Sequence, residues 1–210
     1  MPVTPAPAAS SSTTGAPVAA DRPCGGHDTV WRIDNLTGAE VLADPAPWVR
    51  AYETVYSDAW HLPDHNSPPF ASRLEFSAAR PGFRLTACHS DGELAGFAYG
   101  YTLPPETGWW HGFAPLPGVD AGDVASEHPG RTFALCEALV HAPHRGRGVA
   151  GRTLPILMSG RGEERAACLV AETNTHALGI FLRNGWRHVG DVAPHPGWRA
   201  HHSLVLALNP

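Results

Sequence analysis

The stretch from Leu135 to Arg152, LCEALVHAPHRGRGVAGR, constrains this chain more than any other. It reads as a buried strand, an arginine- and glycine-rich turn, and the start of a helix. The glycines let the backbone bend sharply and approach a ligand closely. The first turn of the helix offers N–H groups that have no partner inside the helix, and such groups attract phosphate oxygens. Arg145, Arg147 and Arg152 add positive charge. The segment is built to hold a pyrophosphate.

The kind of phosphate ligand can be narrowed. A Walker A loop needs a lysine followed by Ser or Thr, and this chain contains no lysine. Gly146, Gly148 and Gly151 spell the G-x-G-x-x-G of a dinucleotide-binding turn. Glu172 lies close to the offset of about 20 residues at which such a turn finds its ribose partner. The strand before the turn, however, comes late in the chain and does not head a βαβ repeat. Dinucleotide binding is therefore only a third reading.

A different pattern accounts for more of the residues. Arg145-x-x-Gly148-x-Ala150 fits [Q/R]-x-x-G-x-[G/A]. Ala138-Leu139-Val140 precedes it, and Cys168-Leu169-Val170-Ala171-Glu172, Asn174-x-x-Ala177 and Phe181-x-x-x-Gly185-Trp186 follow. In this order the segments resemble the fourth strand, cofactor loop, fifth strand and closing helix of the GCN5-related N-acetyltransferase (GNAT) family. The resemblance covers most of the chain after residue 28 and is densest from Arg131 to Val192. It implies an α/β (α+β) fold, with a central mixed, mostly antiparallel sheet flanked by helices. In that fold the fourth and fifth strands splay apart.

The resemblance also implies acetyl-CoA as cosubstrate. The backbones of Leu139 and Val140 would take the pantetheine. Arg145, Gly146, Arg147, Gly148, Val149, Ala150 and Gly151 would take the pyrophosphate. Asn174 would touch the pantetheine arm, and Phe181 would pack against the cofactor. Phe181 stands where the family often carries a tyrosine acting as general acid to the sulfur. Phenylalanine cannot donate a proton, so Tyr99, Tyr101 or His176 would have to replace it. Pro155 is a second departure, because proline removes a helix hydrogen bond.

Glu137 is the first candidate for the general base. It is a carboxylate in an otherwise apolar strand beside the implied acetyl site, where burial would raise its pKa toward neutrality. The alternative is that it faces solvent or pairs with an arginine. Glu172 is the second candidate, or simply ends its strand. No metal site is expected. His141 and His144, and the adjacent His201 and His202, lack Cys or carboxylate partners at the spacing of a known zinc site. Trp109-Trp110 either walls the acceptor site or packs a hairpin end. The insert from His111 to Gly130 carries Asp120, Asp123 and Glu127 and no Arg; it either draws in a cationic amine or is a solvated loop.

Composition sets the outer bounds. A chain of 210 residues with 43% hydrophobic content can bury a sizeable core. A formal charge of −5 argues against nucleic acid as a partner. No run has the length of a membrane helix. The four cysteines form no C-x-x-C and read as reduced thiols, which suits the cytoplasm. Residues 1–28, rich in Ala, Pro, Ser and Thr, read as a disordered tail, and 29–210 as one N-acetyltransferase domain.

The remaining order is coarse. A strand from Thr29 to Leu36 precedes two helices, one carrying Trp48, Tyr52, Val55 and Ala59 and one carrying Phe70, Leu74 and Ala78. A hairpin follows from Phe83 to Tyr101, with Phe97, Tyr99 and Tyr101 on one face. After the loop-headed helix and the fifth strand come another helix and two closing strands. The expected function is transfer of the acetyl group of acetyl-CoA to a primary amine of a small molecule or peptide by direct attack, with a homodimer left open. The alternative is a non-catalytic acyl-CoA-binding sensor or interaction module.

Overall fold

Residues 29–208 are described by a computed structural model; the tail from Met1 to Asp28 lies outside the described residues. The first strand, β1, runs Trp31–Leu36. Helix α1, Gly38–Ala43, follows at once. The Thr37 hydroxyl accepts the N–H of Glu40, and the Glu40 carboxylate accepts the N–H of Thr37 in return, which satisfies two helix-end donors. Helix α2, Ala46–Val55, starts behind Pro45 and ends before the position expected for Ala59, which falls in a separate 3₁₀ turn. A single helical turn α3, Pro63–Asn66, precedes α4, Phe70–Ala78.

The hairpin of β2, Arg84–Ser90, and β3, Glu93–Thr102, follows as the alternation of the sequence requires. The insert is less irregular than expected. It holds a two-residue strand β4, Ala114–Pro115, and a short helix α5, Ala121–Ala125. Next come β5, Thr132–Val140, α6, Val149–Met158, β6, Arg165–Ala171, and α7, Thr175–Arg183. Strands β7, Arg187–Val192, and β8, His201–Ala207, close the chain. The fourth and fifth strands of the sequence reading are thus β5 and β6. Helix α6 runs through Pro155, whose ring is on its exposed side.

The eight strands form one sheet in the order β1-β2-β3-β5-β6-β8-β7-β4. Every neighbouring pair is antiparallel except β5–β6. Side-chain alternation divides the core between the two faces. Helices α1, α2 and α4 cover one, where Val41, Trp48, Tyr52, Phe70, Phe97, Tyr99 and Leu139 are buried together. Helices α6 and α7 cover the other, around Ala98, Phe133, Leu157, Cys168 and Phe181.

The feature that positions the site is a break in register. Tyr99 lies opposite Glu137, but Gly100 lies opposite Leu135, so Cys136 is an extra residue on β5. Such a bulge bends its strand. Pairing between β5 and β6 covers only Thr132 to Leu135 and Arg165 to Cys168, and then stops. Beyond that point β5 pairs only with β3, and β6 only with β8. The two strands splay as expected, and each leaves one edge of backbone N–H and C=O groups without a ladder partner, available to an inserted chain-like ligand.

Candidate active site

Strand β5 delivers the chain into the glycine turn. Gly146 and Gly148 adopt φ of +74° and +80°, the left-handed region that costs a residue with a Cβ roughly 1–2 kcal/mol. Gly148 is the residue from which α6 starts, and the helix's first backbone bond into this turn runs from Arg152 N–H to the Gly148 carbonyl at 3.1 Å. The N–H groups of Val149, Ala150 and Gly151 belong to the first turn and are left for an anion.

Three arginines surround this turn. The Arg145 Nε donates to the Val140 carbonyl at 3.3 Å. Arg147 donates to the Thr29 hydroxyl at 2.9 Å. The guanidinium groups of Arg147 and Arg152 lie 5.4 Å and 4.6 Å from the Trp31 ring centroid. Trp31, which the sequence reading did not single out, thus holds two of the cations by cation–π contact. Val149 itself is buried against Cys88 and Ala95, so of the turn residues it anchors the helix start to the sheet.

Glu137 projects from β5 to the opposite face, beside Tyr99 in the register. The Tyr56 hydroxyl donates to its Oε1 at 3.0 Å, and the backbone N–H of Ala138 donates to the same oxygen at 3.2 Å. Oε2 takes no hydrogen bond among the described residues. Burial pushes the Glu137 carboxyl up from its usual range, against the opposing pull of the Arg73 charge and the Tyr56 hydrogen bond. Burial, with the Glu137 charge adding to it, pushes the Tyr56 phenol far up, so it stays a proton donor. Neither solvent exposure nor an arginine partner is therefore the main state of Glu137; a tyrosine is its direct contact.

Around this pair is a ring of aromatic and charged groups. Tyr52 stacks on Phe70 at 3.9 Å, and Tyr56 stacks on His65 at 4.3 Å. Arg73 donates to the Tyr52 oxygen at 2.8 Å, and the same oxygen lies 3.0 Å from His65 Nδ1. The segment between β7 and β8 straps across α3. Arg199 donates from Nε to Asp64 at 2.8 Å and from a terminal nitrogen to the Thr173 hydroxyl at 2.8 Å, while Trp198 donates to the Ser67 carbonyl at 2.7 Å. Sequence reading placed Tyr52 on a helix face but missed Tyr56, His65, Arg73, Asp64 and Arg199. Tyr52 and Tyr56, four apart on α2 and its end, were the one local signal for the group.

The other sequence candidates are spread out. Leu139 is buried and Val140 half-buried at the free end of β5. Glu172 is exposed just past the end of β6. The Asn174 side chain caps α7, accepting the N–H of Ala177 at 3.1 Å. Phe181 is packed edge-on against Trp186 at 5.1 Å in the α7-side core. His176 is exposed on α7, whereas Tyr99 and Tyr101 are buried on the α4 side of the sheet. Trp110 is core, with its indole N–H on Glu127 at 2.8 Å.

The acidic insert is not a free carboxylate cluster. Asp120 caps α5, Asp123 pairs with Arg131 at 2.9 Å, and Glu127 pairs with Arg165 at 2.9 Å. These partners, a helix end inside the insert for Asp120 and arginines outside it for Asp123 and Glu127, weaken the reason to read it as an amine attractor. His202, read as unpartnered, is brought by the fold beside Asp191 and His188.

A mixed sheet with one parallel pair splayed beside a glycine turn is the fold of GNAT-family acetyltransferases. Among solved structures, an aminoglycoside 6'-acetyltransferase type Ii superposes with a TM-score of 0.57 at 14% identity, over 85% of this chain and 98% of that one. An aminoglycoside 6'-N-acetyltransferase complexed with coenzyme A gives 0.55 at 14% identity, over 85% and 98%. A GNAT family acetyltransferase from Elizabethkingia anophelis with acetyl-CoA bound gives 0.53 at 11%, over 84% and 97%. Neither a protein-family model nor a curated protein matches the sequence.

Proposed function

We propose that this chain is an N-acetyltransferase that moves the acetyl group of acetyl-CoA to a primary amine of a small molecule or peptide by direct attack. The observation that carries the reading is the splay: β5 and β6 part after Leu135 and Cys168, with the Gly148 turn at one end of the gap and Glu137 on the strand that lines it. Solved structures of the same fold with coenzyme A or acetyl-CoA support the cosubstrate.

Acetyl-CoA supplies the thioester that the amine attacks; the C–N bond forms, the C–S bond breaks and a thiol is released. The chain's residues do the rest. Leu139 and Val140 pair with the pantetheine through backbone groups. The turn from Arg145 to Gly151 holds the pyrophosphate, Asn174 meets the pantetheine arm, and Phe181 packs beside it. Glu137 takes the ammonium proton on Oε2, while Tyr56 and the Ala138 N–H hold Oε1 and fix the carboxylate's orientation. Tyr56 is a positioning residue in this scheme. The chain folds as one domain over 29–210 and works in the cytoplasm. Among the described residues Cys88, Cys136 and Cys168 are free thiols, and no described helix is long and apolar enough to cross a membrane.

A screen of amines for thiol release from acetyl-CoA tests the reading. Calorimetry with coenzyme A on the wild type and on Gly148→Val tests the cofactor site separately. Release with at least one amine, and loss of cofactor affinity in a folded Gly148→Val, are expected. A second reading, a non-catalytic acyl-CoA-binding module, is favoured by Phe181, which offers no proton to a departing sulfur. Phe181→Tyr adds a phenol at that position and is expected to raise turnover with cofactor affinity unchanged. Cofactor binding with no release in either the wild type or Phe181→Tyr selects the binding module.

A further inference from the structure

The hairpin of β7 and β8 gathers a second group of chemically capable side chains. In its register His188 lies opposite Leu204, Gly190 opposite Ser203, and Asp191 opposite His202. Val189 is therefore an extra residue on β7. In a regular strand, residues three apart point to opposite faces. One extra residue resets the alternation, so His188 and Asp191 come to the same face, beside His202. The His188 Nε2 and the His202 Nδ1 are 3.0 Å and 2.7 Å from the same Asp191 oxygen, Oδ1. The two imidazole rings are 4.5 Å apart. The Gly190 carbonyl oxygen is 3.0 Å from the same His188 nitrogen. One potential ligand atom from each of the three side chains lies within 4.8 Å of the others.

This group is separate from the proposed base, Glu137. His202 pairs with Val170 in the register and shares a face with Leu204 and the α7-side core. Glu137 and its partners are on the other face.

We propose that His188, Asp191 and His202 form a binding site for a divalent transition-metal ion, with zinc as the ion the donors suit best. Two imidazoles and one carboxylate match the borderline preference of zinc, and they do not suit magnesium or calcium, which take oxygen ligands. Zinc bonds to such atoms are about 2.0–2.2 Å long, so tetrahedral ligands stand about 3.3 Å apart by geometry. Side chains now 2.7 and 3.0 Å apart need to open by only a few tenths of an ångström. The ion replaces the protons now shared between these atoms. Side-chain exposures of 23% for His188, 44% for Asp191 and 22% for His202 leave a route for the ion and room for a water as a further ligand. The ion bridges β7 and β8, so it stabilises the hairpin and stays outside the acetyl-transfer chemistry.

The test uses the full, untagged chain, stripped with a chelator and titrated with zinc chloride by calorimetry. Cobalt(II) is titrated in parallel, its visible absorption reporting the coordination number. One ion per chain is expected, with a melting temperature that rises with zinc concentration. Asp191→Asn and His202→Gln are each expected to weaken binding roughly tenfold or more, while His111→Gln, at an exposed histidine of the insert, leaves it unchanged. Should His202→Gln not fold, His188→Gln carries the same reading. No saturable uptake by the wild type, or wild-type affinity in Asp191→Asn and His202→Gln, overturns the proposal. Acetyl-transfer activity does not enter the readout, so failure here is separate from failure of the function proposed above.

Discussion

Glu137 carries opposite consequences for stability and for catalysis. Its folded pKa is raised above the unfolded value by burial, which outweighs Arg73 and Tyr56. The stability it contributes is therefore complete below the unfolded carboxylate value and is lost as pH rises through the raised folded value. Glu137→Gln keeps the shape and never ionises. The melting temperature of the variant minus that of the wild type should be larger at pH 8 than at pH 4, as scanning calorimetry at the two pH values will show. Turnover should fall by roughly 10²-fold or more, and the acid limb of its pH profile should flatten. An unchanged pH profile removes Glu137 from the mechanism. Glu137 was legible in the sequence because a lone carboxylate in an apolar strand stands out. Its partner Tyr56, 81 residues away, was not; no local pattern encodes a contact that only the closing of α2 over the sheet creates.

Elements announced by glycine, proline or strict alternation were read closely. The Gly148 turn is one: its left-handed backbone is what the G-x-G spacing signalled. A Cβ at Gly148 would come 2.7 Å from Arg152 Nη1, the movable end of a side chain, so the cost of Gly148→Ala comes from the backbone. We expect about 1–2 kcal/mol, readable as a fall in denaturant midpoint at unchanged slope. The short helices α3 and α5 escaped because four or five residues are too few to show a period. Helix α1 did carry a signal, the capping pair Thr37 and Glu40. The strap between β7 and β8 was illegible for another reason: its anchor joins Arg199 to Asp64, 135 residues apart. Asp64 is buried, and its Oδ1 has no partner among the described residues, so all its pairing comes through Oδ2 from Arg199. Arg199 keeps 27% of its side chain exposed and also holds Thr173. Removing the arginine strands a buried charge, whereas removing the aspartate frees a cation that water can reach. Arg199→Ala should therefore cost about 3 kcal/mol or more, and Asp64→Ala less; chemical denaturation of both variants checks the order.

The composition of residues 1–28, rich in Pro and Ala, predicts a stretch with little to bury. Deleting Met1 to Asp28 should leave the melting temperature and cofactor affinity nearly unchanged, and a drop of many degrees would place that stretch against the body. The overall order of strands and helices followed from the sequence because the sheet's hairpins are local. The splay did not follow from any pattern of residues except by resemblance; it begins where β5 carries a single extra residue, Cys136, which no local pattern marks. The cationic ring around the glycine turn has one more consequence. All of its side-chain charges are guanidinium, and the chain has no lysine anywhere. A guanidinium stays protonated in proteins, whereas a lysine amine is a target of acetylation. With a cosubstrate's pyrophosphate in that ring, as proposed above, the thioester at the far end of its pantetheine would meet no lysine amine of this chain. Acylation of a lysine of its own, the ordinary side reaction of a bound thioester, is closed to such a chain.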